Sequence, residues 1–162
     1  DGGQLHSLAD LALTSAGLRN GKADGRSGQI VGRQLRIDLG AGELDNRDGI
    51  VAAAGALDLR AGRLRNEGGW VDADGDAELR AGTLDNAGGH WSAGGRTSLQ
   101  VGALHNAAGS LVGATGLRID AGAATIDNRA GVIRSAGSVE LNAGAIDNRD
   151  TLQAAAERLC KL

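Results

Sequence analysis

The stretch from Leu44 to Asn66, LDNRDGIVAAAGALDLRAGRLRN, begins and ends on nearly the same tripeptide. Its two asparagines, Asn46 and Asn66, stand 20 residues apart, and from Asn46 onward the spacings are 20, 20, 20, 22 and 20. A fixed period of this length indicates a repeat architecture. The later members of the series are Asn86, Asn106, Asn128 and Asn148.

Other columns of the repeat align on the asparagine. A glycine follows it by three residues, and a large apolar residue comes two positions later, as at Gly69 and Val71. An L-x-L-like pair follows, and a small residue with a glycine ends the unit. An earlier unit ends at Asn20, and the next one is six residues longer than the common period, which we attribute to GKADGR at residues 21–26.

Within each unit the apolar residues alternate with polar ones, as in LDLRA at residues 57–61, and this period of two is typical of strands. The glycines between these segments would destabilise helices. Three short strands per unit, stacked on the same strands of the next unit, predict an all-β fold: a right-handed parallel β-helix with about 20 residues per coil and seven to eight coils. A leucine-rich repeat would need asparagine where these units have glycine.

The columns define one β-helix segment over residues 1–152. Residues 153–162 depart from the pattern and form a predicted tail. The single cysteine, Cys160, lies in this tail, where we expect neither a disulfide within the chain nor a metal site.

The recurring asparagines predict a ladder at one corner of the coil, with side-chain amides hydrogen-bonded up and down the stack. We expect asparagine to adopt the left-handed backbone conformation there and the following glycine to supply positive φ. The predicted ladder consists of Asn46, Asn66, Asn86, Asn106, Asn128 and Asn148, and we expect a coil corner near Asn20 as well.

Composition restricts the classes of function. With 28 glycines, two tryptophans and no phenylalanine, tyrosine or proline, the chain lacks the large side chains of a wide globular core. The net charge of −3, without runs of like charge, argues against a nucleic-acid partner. No apolar stretch reaches 18 residues, so we expect no membrane span, and the first residues do not resemble a signal peptide.

Motifs of catalysis and metal binding are missing from the sequence. The histidines His6, His90 and His105 have no second ligand at metal-binding spacing, and the acidic run 72–76 lacks the pattern of a calcium loop. We therefore expect no cofactor, no metal and no enzyme activity. A carbohydrate-active β-helix enzyme is the alternative, and it would need a cluster of carboxylates or basic side chains on one sheet face.

Two side chains are candidates for ligand contact. Trp70 falls in the same column as His90, which alternation places outward, whereas Trp91 falls in the inward column. An exposed indole is suited to stacking on a sugar or anchoring a protein partner. The alternative is that Trp70 folds against a neighbouring turn.

The pattern [LI]-[DRH]-N, followed by glycine and L-x-L-x-A-G, resembles the filamentous haemagglutinin repeats over residues 3–152. The resemblance implies a secreted adhesin of the bacterial cell surface, a virulence factor exported by two-partner secretion through an outer-membrane partner. Host glycans or receptors would be its partners in cell adhesion. The stalk of a contact-dependent toxin without its own ligand is the alternative. Exposed strand edges also predict end-to-end self-association.

Overall fold

The computed structural model describes residues 1–149, whose regular structure is entirely β-strand. The strands are β1 (Gln4–His6), β2 (Leu11–Thr14), β3 (Leu18–Arg19), β4 (Lys22–Ala23), β5 (Arg26–Ser27), β6 (Gln29–Gly32), β7 (Leu35–Asp38), β8 (Glu43–Asp45), β9 (Ile50–Ala53), β10 (Leu57–Arg65), β11 (Trp70–Ala73), β12 (Ala77–Asp85), β13 (His90–Ala93), β14 (Arg96–His105), β15 (Ser110–Gly113), β16 (Gly116–Asp120), β17 (Thr125–Asp127), β18 (Val132–Ser135), β19 (Ser138–Asn142) and β20 (Ala145–Asp147).

Two parallel sheets run along the stack of coils. The first sheet has seven strands, one per coil, in the order β1-β6-β9-β11-β13-β15-β18. The second sheet has eleven strands, with the main path β19-β16-β14-β12-β10-β7-β2 and with β3, β8, β17 and β20 paired beside it. Equivalent residues stack in register, so Val51 pairs with Val71, and Val71 with Trp91. The predicted parallel β-helix is confirmed, with about seven coils.

The prediction of three strands per coil is wrong for the three central coils. There the second and third strands join into the single strands β10, β12 and β14, which pass through the bend at Gly62, Gly82 and Gly102. In two other coils a longer turn separates the strands, with positive φ at Gly40 and Gly122. In the first turn the Gly42 N–H donates to the Leu39 carbonyl at 2.8 Å, and in the second the Ala124 N–H donates to the Ala121 carbonyl at 3.0 Å. These bonds within one coil interrupt the pairing between coils.

The long unit between Asn20 and Asn46 divides its extra length between two places. One is an antiparallel hairpin of β4 and β5, and the other is the turn around Gly40. The attribution to residues 21–26 alone was therefore incomplete. The hairpin turns at Asp24 and Gly25, which have φ of 50° and 78°. Asp-Gly is a favoured pair for such a tight turn, because both positions need positive φ.

Apolar ladders fill the inside of the stack. Two residues before the central corner asparagines, Leu44, Leu64, Leu84 and Leu104 are fully buried, and so is Trp91, the largest side chain of the core. The coil that contains Trp91 has Thr97 where others have leucine, and the threonine hydroxyl donates to the Val112 carbonyl at 3.0 Å. Because each ladder residue rests on its equivalent in the next coil, no coil buries its apolar face alone.

The corner asparagines form the predicted ladder. Each side-chain amide nitrogen donates to the amide oxygen of the next asparagine at 2.6–2.7 Å, from Asn20 to Asn148 without a break. The same nitrogens also lie within hydrogen-bond distance of backbone carbonyls, as from Asn86 to Gly89 at 3.3 Å. Asn46, Asn66, Asn86 and Asn106 have no exposed surface, so these bonds satisfy amides that water does not reach.

The backbone at the corner differs from our expectation. Positive φ occurs two residues after the asparagine, at neither the asparagine nor the glycine of the repeat. The glycine is needed for space instead: a Cβ on Gly89 would lie closer than 3.0 Å to the Asn66 carbonyl and to the Asn86 amide oxygen. The residues with positive φ are Asp48, Gly68, Gly88, Ala108 and Ala130.

Two adjacent glycines therefore give a sharp test of the corner. Gly88→Ala places a methyl group in open space, in a conformation that Ala108 and Ala130 already adopt, so we expect a loss of only about 1 kcal/mol in the free energy of unfolding. Gly89→Ala forces the methyl group into the Asn66 carbonyl, and we expect a loss of at least about 3 kcal/mol. Urea unfolding followed by circular dichroism measures both.

The two variants control for each other, because each adds one methyl group to the same turn. Equal losses would mean that backbone conformation, rather than the close approach of neighbouring coils, requires glycine at this corner.

Candidate functional site

Charged side chains of the second sheet project outward and pair with one another. Arg36 of β7 lies 3.4 Å from Asp58 in the next coil, and Arg118 of β16 lies 2.6 Å from Glu140. These pairs follow the register of the sheet, because equivalent positions in successive coils are direct neighbours. The outward face of the second sheet therefore carries charges of both signs, several of which pair with each other, as is usual for a solvent-exposed surface.

A groove of about 700 Å³ follows one edge of this face across several coils. Its four carboxylates are already engaged. Asp10 pairs with Arg33 at 2.9 Å, Asp58 and Glu78 pair with arginines, and Asp76 accepts a backbone N–H at 2.7 Å. Asp10, Asp58 and Asp76 thus connect neighbouring coils, whereas Glu78 pairs with Arg80 of its own strand.

The outward face of the first sheet has a different character, and we call it the Trp70 face. It consists of two columns, and between Gln29 and Arg134 only Asp72, Arg134 and the titratable His90 interrupt its uncharged side chains. The first column contains Gln29, Ile50, Trp70, His90, Ser110 and Val132, and the second contains Val31, Ala52, Asp72, Ser92, Val112 and Arg134.

Trp70 and His90 meet on this face. They are direct neighbours in β11 and β13, with ring centroids 4.5 Å apart and ring planes tilted by 42°. Trp70 remains 55% exposed, so the histidine supports the indole from one side and leaves the rest of it open to solvent. The indole therefore packs against the next coil of the same sheet. Its outward position agrees with the alternation of inward and outward residues in the sequence.

A cleft of about 590 Å³ lies at one end of the Trp70 face. The hairpin of β4 and β5 contributes Arg26 and Ser27 to it, and the sheet contributes Gln4, Gln29 and Ile50. Ile50 pairs in register with Trp70, so this cleft adjoins the indole. Amide, hydroxyl and guanidinium groups thus stand beside an apolar platform, which is the usual composition of a small-ligand site.

The other histidines lie elsewhere. His6 is exposed in β1, and His105 stands before the asparagine corner with Nε2 4.0 Å from Asp85 Oδ1. No group of three metal-ligating side chains occurs within residues 1–149. Cys160 and the predicted tail lie outside the described residues.

At three corners a pair of charged side chains encloses the ladder asparagine, and we call each pair a bracket. We did not predict these pairs from the sequence. In three coils the residues on either side of the ladder asparagine are Asp and Arg, and the arginine donates two side-chain hydrogen bonds of 2.6–2.8 Å to the carboxylate. The arginine backbone N–H also donates to the same carboxylate, at 3.2–3.3 Å. The brackets are Asp45 with Arg47, Asp127 with Arg129, and Asp147 with Arg149.

The signal for these brackets was present in the sequence, because the triplet Asp-Asn-Arg occurs at 45–47, 127–129 and 147–149. Side chains at positions i and i+2 lie on the same side of a strand but diverge at most turns, so spacing alone did not predict the contact. Hydrogen bonding to the arginine lowers the pKa of Asp45 and of Asp147, and lowers the pKa of Asp127 to about 2.

These lowered pKa values predict that the fold weakens in acid. A carboxyl pKa that is lower in the folded chain than the usual value of about 3.9 contributes stability above that value, and the contribution is lost as pH falls toward 2. We expect the urea midpoint of the chain to fall between pH 5 and pH 2. Asp127→Asn should unfold at lower urea than the unmodified chain at pH 7 but should converge with it at pH 2.

Asp74→Asn is the matched control, since Asp74 is an exposed turn residue that forms no ion pair within residues 1–149. It should leave the pH dependence unchanged. If Asp127→Asn ran parallel to the unmodified chain at every pH, the bracket would contribute nothing to the acid sensitivity.

No helix of the described chain is long and apolar enough to cross a membrane. The comparison with curated proteins gives no match, and neither does the comparison with solved structures. A family model described as the haemagglutinin repeat matches residues 1–34, 30–96, 72–126 and 118–159. These overlapping matches follow one another along the coil stack and together extend over nearly the whole sequence. The chain belongs to the haemagglutinin repeat family.

Proposed function

We propose that this chain is part of the shaft of a secreted filamentous adhesin of the bacterial surface, which leaves the cell through an outer-membrane partner and binds host glycans. Membership in the haemagglutinin repeat family supports a structural and adhesive role, since that family is not enzymatic. The coil stack supports it too, because in-register strands about 4.8 Å apart make a rod with side chains at fixed spacing.

The observation that carries glycan binding is the exposure of Trp70. An indole that is 55% exposed and supported by His90 offers a flat apolar surface, on which the C–H groups of a sugar ring stack. The adjoining cleft supplies hydrogen-bond donors and acceptors for sugar hydroxyls from Gln29 and Arg26. The proposed contact residues are therefore Trp70 and His90, with the cleft as the neighbouring polar part of the site.

The stalk of a contact-dependent toxin is the second candidate, and it would use the same rod without a ligand of its own. It explains the coil stack equally well but gives no role to the exposed indole. The carbohydrate-active enzyme has less support, because the carboxylates of the groove along the second sheet are engaged in ion pairs and backbone hydrogen bonds.

Binding of the purified chain to a panel of immobilised glycans, including sulfated ones, tests the proposal. Trp70→Ala should weaken binding by about tenfold, the equivalent of 1.4 kcal/mol, whereas Trp70→Phe should retain most of it because a ring remains. Trp91 is fully buried, so a change in tryptophan fluorescence on saturation should come from Trp70.

His90→Ala compared with His105→Ala is the matched pair of controls, since both replace an outward histidine but only the first touches Trp70. Loss of binding in His90→Ala alone supports the site. Absence of binding across the panel, for a chain that circular dichroism shows to be folded, would contradict adhesion by this segment and favour the ligand-free stalk.

A further inference from the structure

Two unpaired charges stand on the Trp70 face. Asp72 and Arg134 are both exposed, both lie in its second column, and neither forms an ion pair within residues 1–149. On the second sheet, by contrast, several charges pair with an opposite charge of the neighbouring coil, as Arg118 does with Glu140. Asp72 and Arg134 stand three coils apart, too far to pair along the rod.

The two most exposed apolar side chains of the face occupy the same two coils. Trp70, 55% exposed, neighbours Asp72, and Val132, 46% exposed, neighbours Arg134. Each of these coils therefore presents one large apolar group and one charge, and the two charges have opposite sign. The rows between them present His90 with Ser92 and Ser110 with Val112.

We infer that the Trp70 face is a self-complementary surface on which a second copy of this chain binds in antiparallel orientation. The two copies are related by a two-fold axis that runs parallel to the strands, between the rows of His90 and Ser110. This axis reverses the direction of the rod, and each column of one copy faces the same column of the second copy. It sets Trp70 over the second copy's Val132 and Asp72 over the second copy's Arg134. Each of these contacts then occurs twice.

The parallel orientation lacks this match. A two-fold axis along the rod holds the two Asp72 carboxylates at one height and the two Arg134 guanidinium groups at another, so like charges approach each other. Like charges across an interface oppose association and so select against that arrangement. The antiparallel pair instead joins each carboxylate to a guanidinium and covers each indole with a valine.

The size of the face sets the strength of the association. The axis superimposes the four rows from Trp70 to Val132, which are about 4.8 Å apart and about four residues wide and so cover about 250 Å² per copy. A standard stable interface buries about 800 Å² per partner, so this pair is weak, with a Kd on the order of 10⁻⁴ M. The pairing does not depend on glycan binding, but it covers Trp70, so a bound glycan and a second copy exclude each other.

A charge swap tests the inference. We expect Asp72→Arg and Arg134→Asp each to weaken self-association by at least about tenfold, because each places like charges opposite one another twice. The double variant with both changes restores opposite charges and should associate within about threefold of the unmodified chain. Sedimentation velocity over a range of concentrations up to about 1 mM measures the association. A reductant is present, because the chain has one cysteine, Cys160.

Asp74→Arg and Arg60→Asp are the matched controls, since both reverse an exposed charge outside the Trp70 face. They should leave association unchanged, and circular dichroism should show all variants folded. Recovery in the double variant establishes the antiparallel pairing.

Three other results would overturn the inference. The first is a chain that stays monomeric at about 1 mM. The second is association that Trp70→Ala weakens but the charge reversals do not, because the face would then bind in another register. The third is association that none of these changes affects, because that result would place the contact at the coil ends, as end-to-end stacking requires.

Discussion

Hydrogen bonding between equivalent groups of successive coils is the interaction on which this structure depends. Backbone groups of each coil pair with those of the next, and the corner asparagines repeat the same bond through their side chains at 2.6–2.7 Å. These bonds form only when coils superimpose, so every coil must turn the same corner in the same way. The recurrence of asparagine and glycine follows from this requirement, because an amide must reach its neighbour and a Cβ would obstruct it.

The requirement to superimpose also decides where the coils differ. The hairpin of β4 and β5 and the turns at Gly40 and Gly122 project outward at bends, where extra residues do not disturb the ladders. Outward columns are equally free to change, since their side chains make no contribution to the interior. Binding properties of such a rod therefore belong to its outward columns and its insertions, and the Trp70 face combines both, with the hairpin at one end of it.

The two outward faces illustrate two uses of this freedom. On the second sheet, several charges pair with an opposite charge in the next coil, as Arg36 does with Asp58 and Arg118 with Glu140, and such pairs leave little to attract a ligand. On the first sheet, few charges occur and an indole stays half exposed. An uncharged surface with an aromatic group is less costly to desolvate than a charged one, so it is the better surface for a glycan or for a second copy.

The sequence by itself determined the period, the alternation within strands, the asparagine ladder and the outward position of Trp70, because each follows from residues that recur at fixed spacing. Only the tertiary structure decided that strands join through Gly62, that positive φ falls two residues after the asparagine, and that Asp45 and Arg47 bracket the ladder. It also decided that Trp70 packs against His90 and that, within residues 1–149, Asp72 and Arg134 have no ion-pair partner on that face. These features depend on distances between coils and on the local path of each bend, which a one-dimensional period does not contain.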